Sequence, residues 1–191
     1  QEFDEKIFYG ILKIYETTKN RRIITDYATL MDVSGVNKNQ PQNIHRTKDS
    51  IERMRKCEII FNGVFYDAYA KSQGDTFINT NKSINLLSSL KTITIQEYKE
   101  ASEHTNKTYD KYFNKHGNIK EIVDFTIHED LVNNMENKGH KYFMLEDLLK
   151  IDNSTARKLF IMLTKWRYWD KGPEITRTIK FLASRIHLSW K

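Results

Sequence analysis

Asn62-Gly63, set between Ile59-Ile60-Phe61 and Val64-Phe65-Tyr66, is the sharpest local constraint on how this chain can fold. A type I′ turn needs φ > 0 at both central residues, and Asn followed by Gly accepts this with the least strain. The pair predicts the tip of a two-residue hairpin whose apolar arms pack on a core. Directly upstream, residues 42–57 have helical periodicity. Wound as a helix, they put Ile44, Thr47, Ile51 and Met54 on one side and Gln42, His45, Arg46, Asp49, Arg53 and Lys56 on the other. A basic helix running straight into an apolar hairpin is the pattern that the rest of the chain has to explain.

Residues 4–18 place Ile7, Phe8, Ile11, Leu12 and Tyr15 on one helical face, with acids in the first turn. Arg21-Arg22-Ile23-Ile24-Thr25 reads as a short β-branched connector. Thr25 or Asp26 can cap a short second helix containing Tyr27, Leu30 and Met31, which closes before Ser34-Gly35. Residues 76–95 carry β-branched segments ending in Thr92-Ile93-Thr94-Ile95, compatible with strand or helix. Residues 97–120 are polar and read as a charged linker or an exposed helix. Residues 121–127 form a strand candidate, and 128–139 a short helix stopped by Gly139. A long amphipathic helix runs from Asn153 to about Trp169, with Ala156, Leu159, Phe160, Leu163 and Trp166 inward, and a last helix covers about Thr176 to Ile186. The expected class is α+β, mainly α, with small antiparallel hairpins. The expected division is 1–96, 97–120 and 121–191.

Only 7 Gly and 2 Pro in 191 residues argue against a loop-rich sandwich. The 31 Lys and Arg outnumber the 25 Asp and Glu, and the excess is concentrated. Residues 36–56 hold six basic and two acidic side chains, and residues 157–191 hold nine and two. Two basic blocks suit an extended polyanion; two solvated helix faces are the alternative. Cys57 is the single cysteine, so no intramolecular disulfide is available, and a cytoplasmic location is expected. No apolar run approaches the ~18 residues needed to cross a bilayer. There is no Gly-rich phosphate loop and no His-Glu-x-x-His, and the six histidines lie scattered. His128-Glu129-Asp130 is better explained by acids at a helix start than by catalysis. The expectation is a protein without catalysis, cofactor or metal. Trp166, Tyr168 and Trp169 fit core positions beside Leu159 and Leu163 better than a base-stacking platform.

The order helix, connector, helix, turn, basic helix, hairpin is that of a winged helix-turn-helix domain. Its recognition helix buries one stripe and offers the other to the major groove of DNA. Arg46 suits a guanine edge and Gln42 an adenine, while Arg53 and Lys56 suit phosphates. Arg21 and Arg22 suit phosphate too, with a solvated turn as the alternative. Lys38, Asn43, His45, Asp49 and, at the wing tip, Asn62 complete the candidate contacts. An amphipathic helix with a merely solvated charged face is the competing reading of residues 42–57.

The run "NIHRTKDSIERMRKCEIIFNGVFYDAY" followed by "INLLSSLKTITI" resembles the first winged helix of plasmid replication initiator proteins. "VDFTIHEDLVNNM" with "YFMLEDLLKIDNSTARKLFIMLTKWRYWDKG" resembles the opening strand and long helix of their second winged helix. The resemblance covers most of the chain as a pattern, without an invariant signature. It implies binding to repeated sites in double-stranded DNA at a plasmid or secondary-chromosome origin, duplex opening and recruitment of host replication factors. It also implies a homodimer through the first domain, and DNA contacts from Gln42 through Lys56. A second recognition helix is implied as well, and Lys191 falls where it would begin. A winged-helix transcription regulator, or a protein-interaction module using its basic faces, is the alternative expectation.

Overall fold

The computed structural model describes residues 2–65, 80–101, 107–113, 119–136, 145–170 and 177–185. They form an α+β protein in which helices predominate and the strands are antiparallel. The chain divides into two compact units, Phe3–His140 and Lys141–Lys191.

The first unit opens with α1 (Glu2–Thr18), β1 (Arg22–Asp26), α2 (Tyr27–Val33) and α3 (Pro41–Lys56). The strands β2 (Glu58–Phe65), β3 (Thr80–Asn85) and β4 (Leu87–Thr94) follow, then α4 (Ile95–Ala101) and α5 (Lys107–Phe113). The strand β5 (Glu121–Ile127) and α6 (Glu129–Glu136) complete it. β5 lies in the middle of a three-stranded sheet, between β1 and β4. Its register sets Ile23 opposite Phe125 and Leu90 opposite the same residue from the other side. β2 and β3 make a separate two-stranded ribbon.

Strand alternation sorts the side chains of the sheet onto two faces. Ile23, Leu87, Val123, Phe125 and Ile127 join Ile7, Ile11 and Tyr15 of α1, Tyr27 and Leu30 of α2, Ile51 and Met54 of α3, and Val132 of α6. On the opposite face Ile93 and Ile122 meet Tyr109 and Phe113 of α5, with Ile95 and Tyr98 packed at the edge. Both faces of β5 are covered, and Ile122, Val123, Asp124 and Phe125 are buried in succession. Such a run of buried residues belongs to a strand enclosed by helices rather than to one facing water.

This architecture corrects the expected division. A boundary at 96 and 121 would strip the sheet of its central strand, because β5 supplies the hydrogen bonds that both β1 and β4 require. The described part of 97–120 is likewise no exposed linker: 97–101 and 107–113 are helical, and Tyr109 and Phe113, 5% exposed, belong to the second core. The connector Arg22–Asp26 is itself a strand. Residues whose identity was open, 80–85 and 87–94, are strands, with a register irregularity between Leu87 and Ser89. Gly10 of α1 is buried where that helix meets the end of α2; a Cβ on it would stand 2.0 Å from Ser34 Oγ.

The second unit contains α7 (Leu145–Lys150), α8 (Ser154–Asp170) and α9 (Ile179–Arg185). The Asn153 carboxamide oxygen accepts from the Ala156 amide at 3.0 Å, which caps α8. Arg157 is fully buried, its Nη1 donating to the carbonyls of Ile151 at 2.5 Å and Asp152 at 3.2 Å. Leu163, expected inward, is 45% exposed. The side chains of Trp166, Tyr168 and Trp169 lie outside the described ones.

Candidate nucleic-acid interface

The geometry of α3 is set first by the turn that precedes it. Asp26 stands at the N-cap of α2 in extended conformation and accepts from the Thr29 amide at 2.9 Å. α2 ends in a Schellman closure: Gly35 adopts φ +65, the Gly35 amide donates to Asp32 O, and the Val36 amide donates to Met31 O at 2.8 Å. Gly35 has open space around its Cβ position, so its need is for the left-handed backbone alone. The chain then passes through 37–40 and enters α3 with Pro41 in its first turn.

Asn43 locks that turn. Its Nδ2 donates to Asn37 O at 2.8 Å and to Gln40 Oε1 at 3.2 Å, and the residue is 4% exposed. Asn43 was an expected DNA contact; it is instead an internal strut, because the turn leaves a carbonyl that only a buried donor can reach. The buried stripe of α3 is Asn43, Thr47, Ser50, Ile51 and Met54. Ile44, expected inside, is 37% exposed. The stripe is therefore rotated relative to the expected one, and three of its five members, Asn43, Thr47 and Ser50, are polar.

Gln42, His45, Arg46, Asp49, Glu52, Arg53, Arg55 and Lys56 are all exposed. Three of the four cations in this set are already engaged within the protein. The Arg46 guanidinium lies over the Phe3 ring, 4.1 Å from its centroid, and Nη1 donates to Asn43 Oδ1 at 3.4 Å. Arg53 makes a two-pronged contact with Asp4, Nε to Oδ2 at 3.3 Å and Nη2 to Oδ1 at 2.7 Å. Burial pushes the Asp4 carboxyl up, but the Arg53 bond and charge outweigh it and hold the group below its ordinary value. Lys56 stands 3.7 Å from Glu52 one turn earlier. Arg55, which sequence reasoning passed over, has no side-chain partner among the described residues, and neither do Gln42 or His45. A wheel centred on Asn43, Thr47, Ser50 and Met54 puts Arg55 outside the buried stripe, whereas apolar residues alone drew attention to the other flank. Arg53, Arg55 and Lys56 also sit in the last turn, where cations complement the negative end of the helix.

Lys48 faces the sheet rather than solvent: its Nζ pairs with Glu121 and lies 5.1 Å from the Tyr27 ring centroid. Lys38 pairs with Asp32 at 3.1 Å on the surface. Arg21 meets Glu129 at 3.2 Å. Arg22 grips Asp124 with Nε at 3.0 Å and Nη2 at 2.6 Å, and Tyr109 OH donates to the same carboxylate at 2.7 Å. Alternation along β1 sets Arg22 with Ile24 on the sheet face that α5 covers, opposite the face on which α3 packs. Arg22 thus does not join the α3 ridge.

Asn62 and Gly63 are not a hairpin tip. β2 continues through them to Phe65, and the pairing passes from Phe61↔Lys82 to Phe65↔Thr80, so that β2 gains two residues on β3. A two-residue turn at 62–63 would have sent the chain back after Phe61, whereas the strand runs on to pair Phe65 with Thr80. Gly inside a strand marks an irregularity of this kind as readily as it marks a turn. The connection between the two strands, 66–79, and the Asn62 side chain lie outside the described residues. The ribbon is fixed to the unit by Lys82 Nζ, 2.6 Å from Asp130, and by Asn85 Nδ2, which donates to Arg55 O at 2.9 Å. Ile84 of the ribbon is buried and Ile60 is 63% exposed.

No group of His, Cys, Asp and Glu among the described residues is arranged to hold a metal ion. No described helix is long and apolar enough to cross a membrane. No protein-family model matches the chain, and comparison with curated proteins and with solved structures yields no match.

Proposed function

We propose that the Phe3–His140 unit is a winged helix-turn-helix domain that binds double-stranded DNA, and that the chain serves as a replication initiator at repeated origin sites. One observation carries the DNA reading. α3 buries one stripe against its own unit, stands on a rigid turn, and presents an opposite ridge of Gln42, His45, Arg46, Asp49, Arg55 and Lys56 to solvent. A recognition helix needs this division of its surface, because base edges are reached only by side chains that stand outside the core of the domain. The ribbon β2–β3 follows α3 directly, in the position of a wing. The step from DNA binding to origin recognition rests on the resemblance of residues 43–69 and 84–95 to the first winged helix of plasmid initiators. A cytoplasmic site of action and a homodimer through the first unit belong to the same proposal.

The test is selection from a random duplex pool with the 191-residue chain, followed by footprinting of the recovered sequence in the surrounding DNA. Recovery of one sequence that recurs as direct repeats supports the initiator reading. A single site upstream of a gene supports a transcription regulator instead. Affinity that stays flat as salt rises from ~50 to ~200 mM would remove duplex DNA as the partner, since phosphate contacts by Lys and Arg release counterions.

A further inference from the structure

The first turn of α1 touches α3 at two arginines seven positions apart, and it treats them in opposite ways. Phe3 and Asp4 are consecutive, while Arg46 and Arg53 are separated by about two helical turns, roughly 10 Å along α3. Phe3 offers Arg46 a ring face, with the guanidinium 4.1 Å from the centroid. Asp4 offers Arg53 a carboxylate, with both fork nitrogens engaged. We infer that this turn sorts the arginines of α3, with Phe3 orienting Arg46 for base reading and Asp4 withholding Arg53 from the phosphate backbone. The inference rests on the reading of α3 as a DNA-contacting helix.

The chemistry of the two contacts differs where it matters. A ring attracts a guanidinium through its quadrupole and adds no net charge. Arg46 therefore keeps its positive charge while its plane is held against one surface. A flat, pre-oriented fork loses less side-chain freedom on meeting a guanine edge than a free one does. Nη1 is directed to Asn43 Oδ1 at 3.4 Å, which fixes the rotation of the fork as well. Asn43, buried in the turn before the helix, thereby becomes part of the same positioning set.

Asp4 acts by charge. Its side chain is 20% exposed and that of Arg53 49%, so the pair is partly shielded from water and salt. Asp4 occupies the Nε–Nη2 edge of the guanidinium, one of the edges that could take a phosphate in two-pronged fashion. An approaching phosphate would also meet the Asp4 carboxylate itself, together with Asp49, whose charge acts on Arg53 from within α3. Arg53 then adds little to sequence-independent affinity. A domain that must discriminate among sites gains when a non-specific contact is suppressed, because specificity is a difference of affinities.

The experiment uses the full chain and two labelled duplexes, one recovered by selection with the wild-type protein and one of scrambled sequence. Binding is measured by anisotropy across a salt series, and circular dichroism checks that each variant is folded. Phe3→Leu is expected to weaken binding to the selected duplex by about 2–5-fold, the worth of an exposed cation–ring contact, and to leave the scrambled duplex unchanged. Phe3→Tyr, which keeps the ring, should restore the selected affinity. Asp4→Asn should tighten binding to the scrambled duplex and steepen the slope of log affinity against log salt by about 0.9, the signature of one recovered phosphate contact. Arg53→Ala in the wild-type background should leave that slope unchanged. Equal behaviour of Phe3→Leu and Phe3→Tyr, an unaltered slope in Asp4→Asn, or a shallower slope in Arg53→Ala would overturn the sorting while DNA binding stood. Failure of the wild-type chain to bind either duplex would instead remove the DNA reading on which it rests.

Discussion

Two antiparallel sheets of this chain are built from similar residues and used differently. β1–β5–β4 is enclosed, with α1, α2, α3 and α6 on one face and α5 on the other, and four consecutive residues of β5 are buried. The ribbon β2–β3 has only two strands, and Ile60 lies 63% exposed beside the buried Ile84. Isolated two-stranded ribbons have little stability of their own. This one is held by its ends, through the Lys82–Asp130 ion pair and the bond from Asn85 to the last turn of α3. The contrast separates a load of stability, carried by the enclosed sheet, from a surface that the ribbon and α3 leave available.

The comparison breaks most visibly at Phe125, fully buried at the centre of β5. Phe125→Ala should cost about 3–5 kcal/mol in urea unfolding, the usual range for emptying a core aromatic site. A loss below about 1 kcal/mol would show that β5 is not the keystone described. Asp124 comes next. Burial pushes its carboxyl up, yet the bonds from Arg22 and Tyr109 and the charge of Arg22 prevail and leave it below the ordinary value of 3.8. A carboxyl lower in the folded than in the unfolded chain adds stability above its unfolded value and loses it as pH falls through the folded one. Asp124→Asn should therefore destabilise by about 1.5–3 kcal/mol near neutral pH, as loss of a charged hydrogen bond does. It should also flatten the fall in stability below about pH 4 that is expected of wild type. On the exposed side, Arg46→Ala should cost about 1–3 kcal/mol of affinity for a selected duplex and no more than about 1 kcal/mol of stability, the worth of its contact with the Phe3 ring. Ile60→Ser should be the mildest, within about 0.5 kcal/mol of wild type in the same urea titration; a larger loss would place the ribbon inside a core after all.

What could be read before folding was local. The helical face of Ile7, Ile11 and Tyr15, the cap at Asp26, the stop at Ser34-Gly35 and the strand at 121–127 all follow from spacing and from residue-specific backbone preference. The partner of β1 did not, because nothing near Arg22–Asp26 encodes which distant strand will satisfy its hydrogen bonds. Asn62-Gly63 misled for a related reason: the pair tolerates a tight turn, but tolerance does not compel one when a longer ribbon has more to pair with. Asn43, expected at the DNA surface because polar side chains usually stand outside, is drawn inside by the carbonyl of Asn37. On the candidate interface, Gln42, His45, Arg46, Asp49 and Lys56 were placed correctly on the exposed ridge of α3. Arg53 was placed correctly as well, but its occupation by Asp4 could not be foreseen, since that contact joins residues 49 positions apart.

The place of β5 between β1 and β4 also bears on how the chain is made. About 100 residues separate β1 from the strand that pairs with it, so at roughly 5–20 residues per second of synthesis β1 waits some 5–20 s for its partner. Throughout that interval Ile23 and Ile24 belong to an unpaired strand, the form of chain most prone to pair with a stranger. Arg21 and Arg22 stand immediately before them, and adjacent like charges discourage such association. The two arginines meet Glu129 and Asp124 only once those later residues have been made.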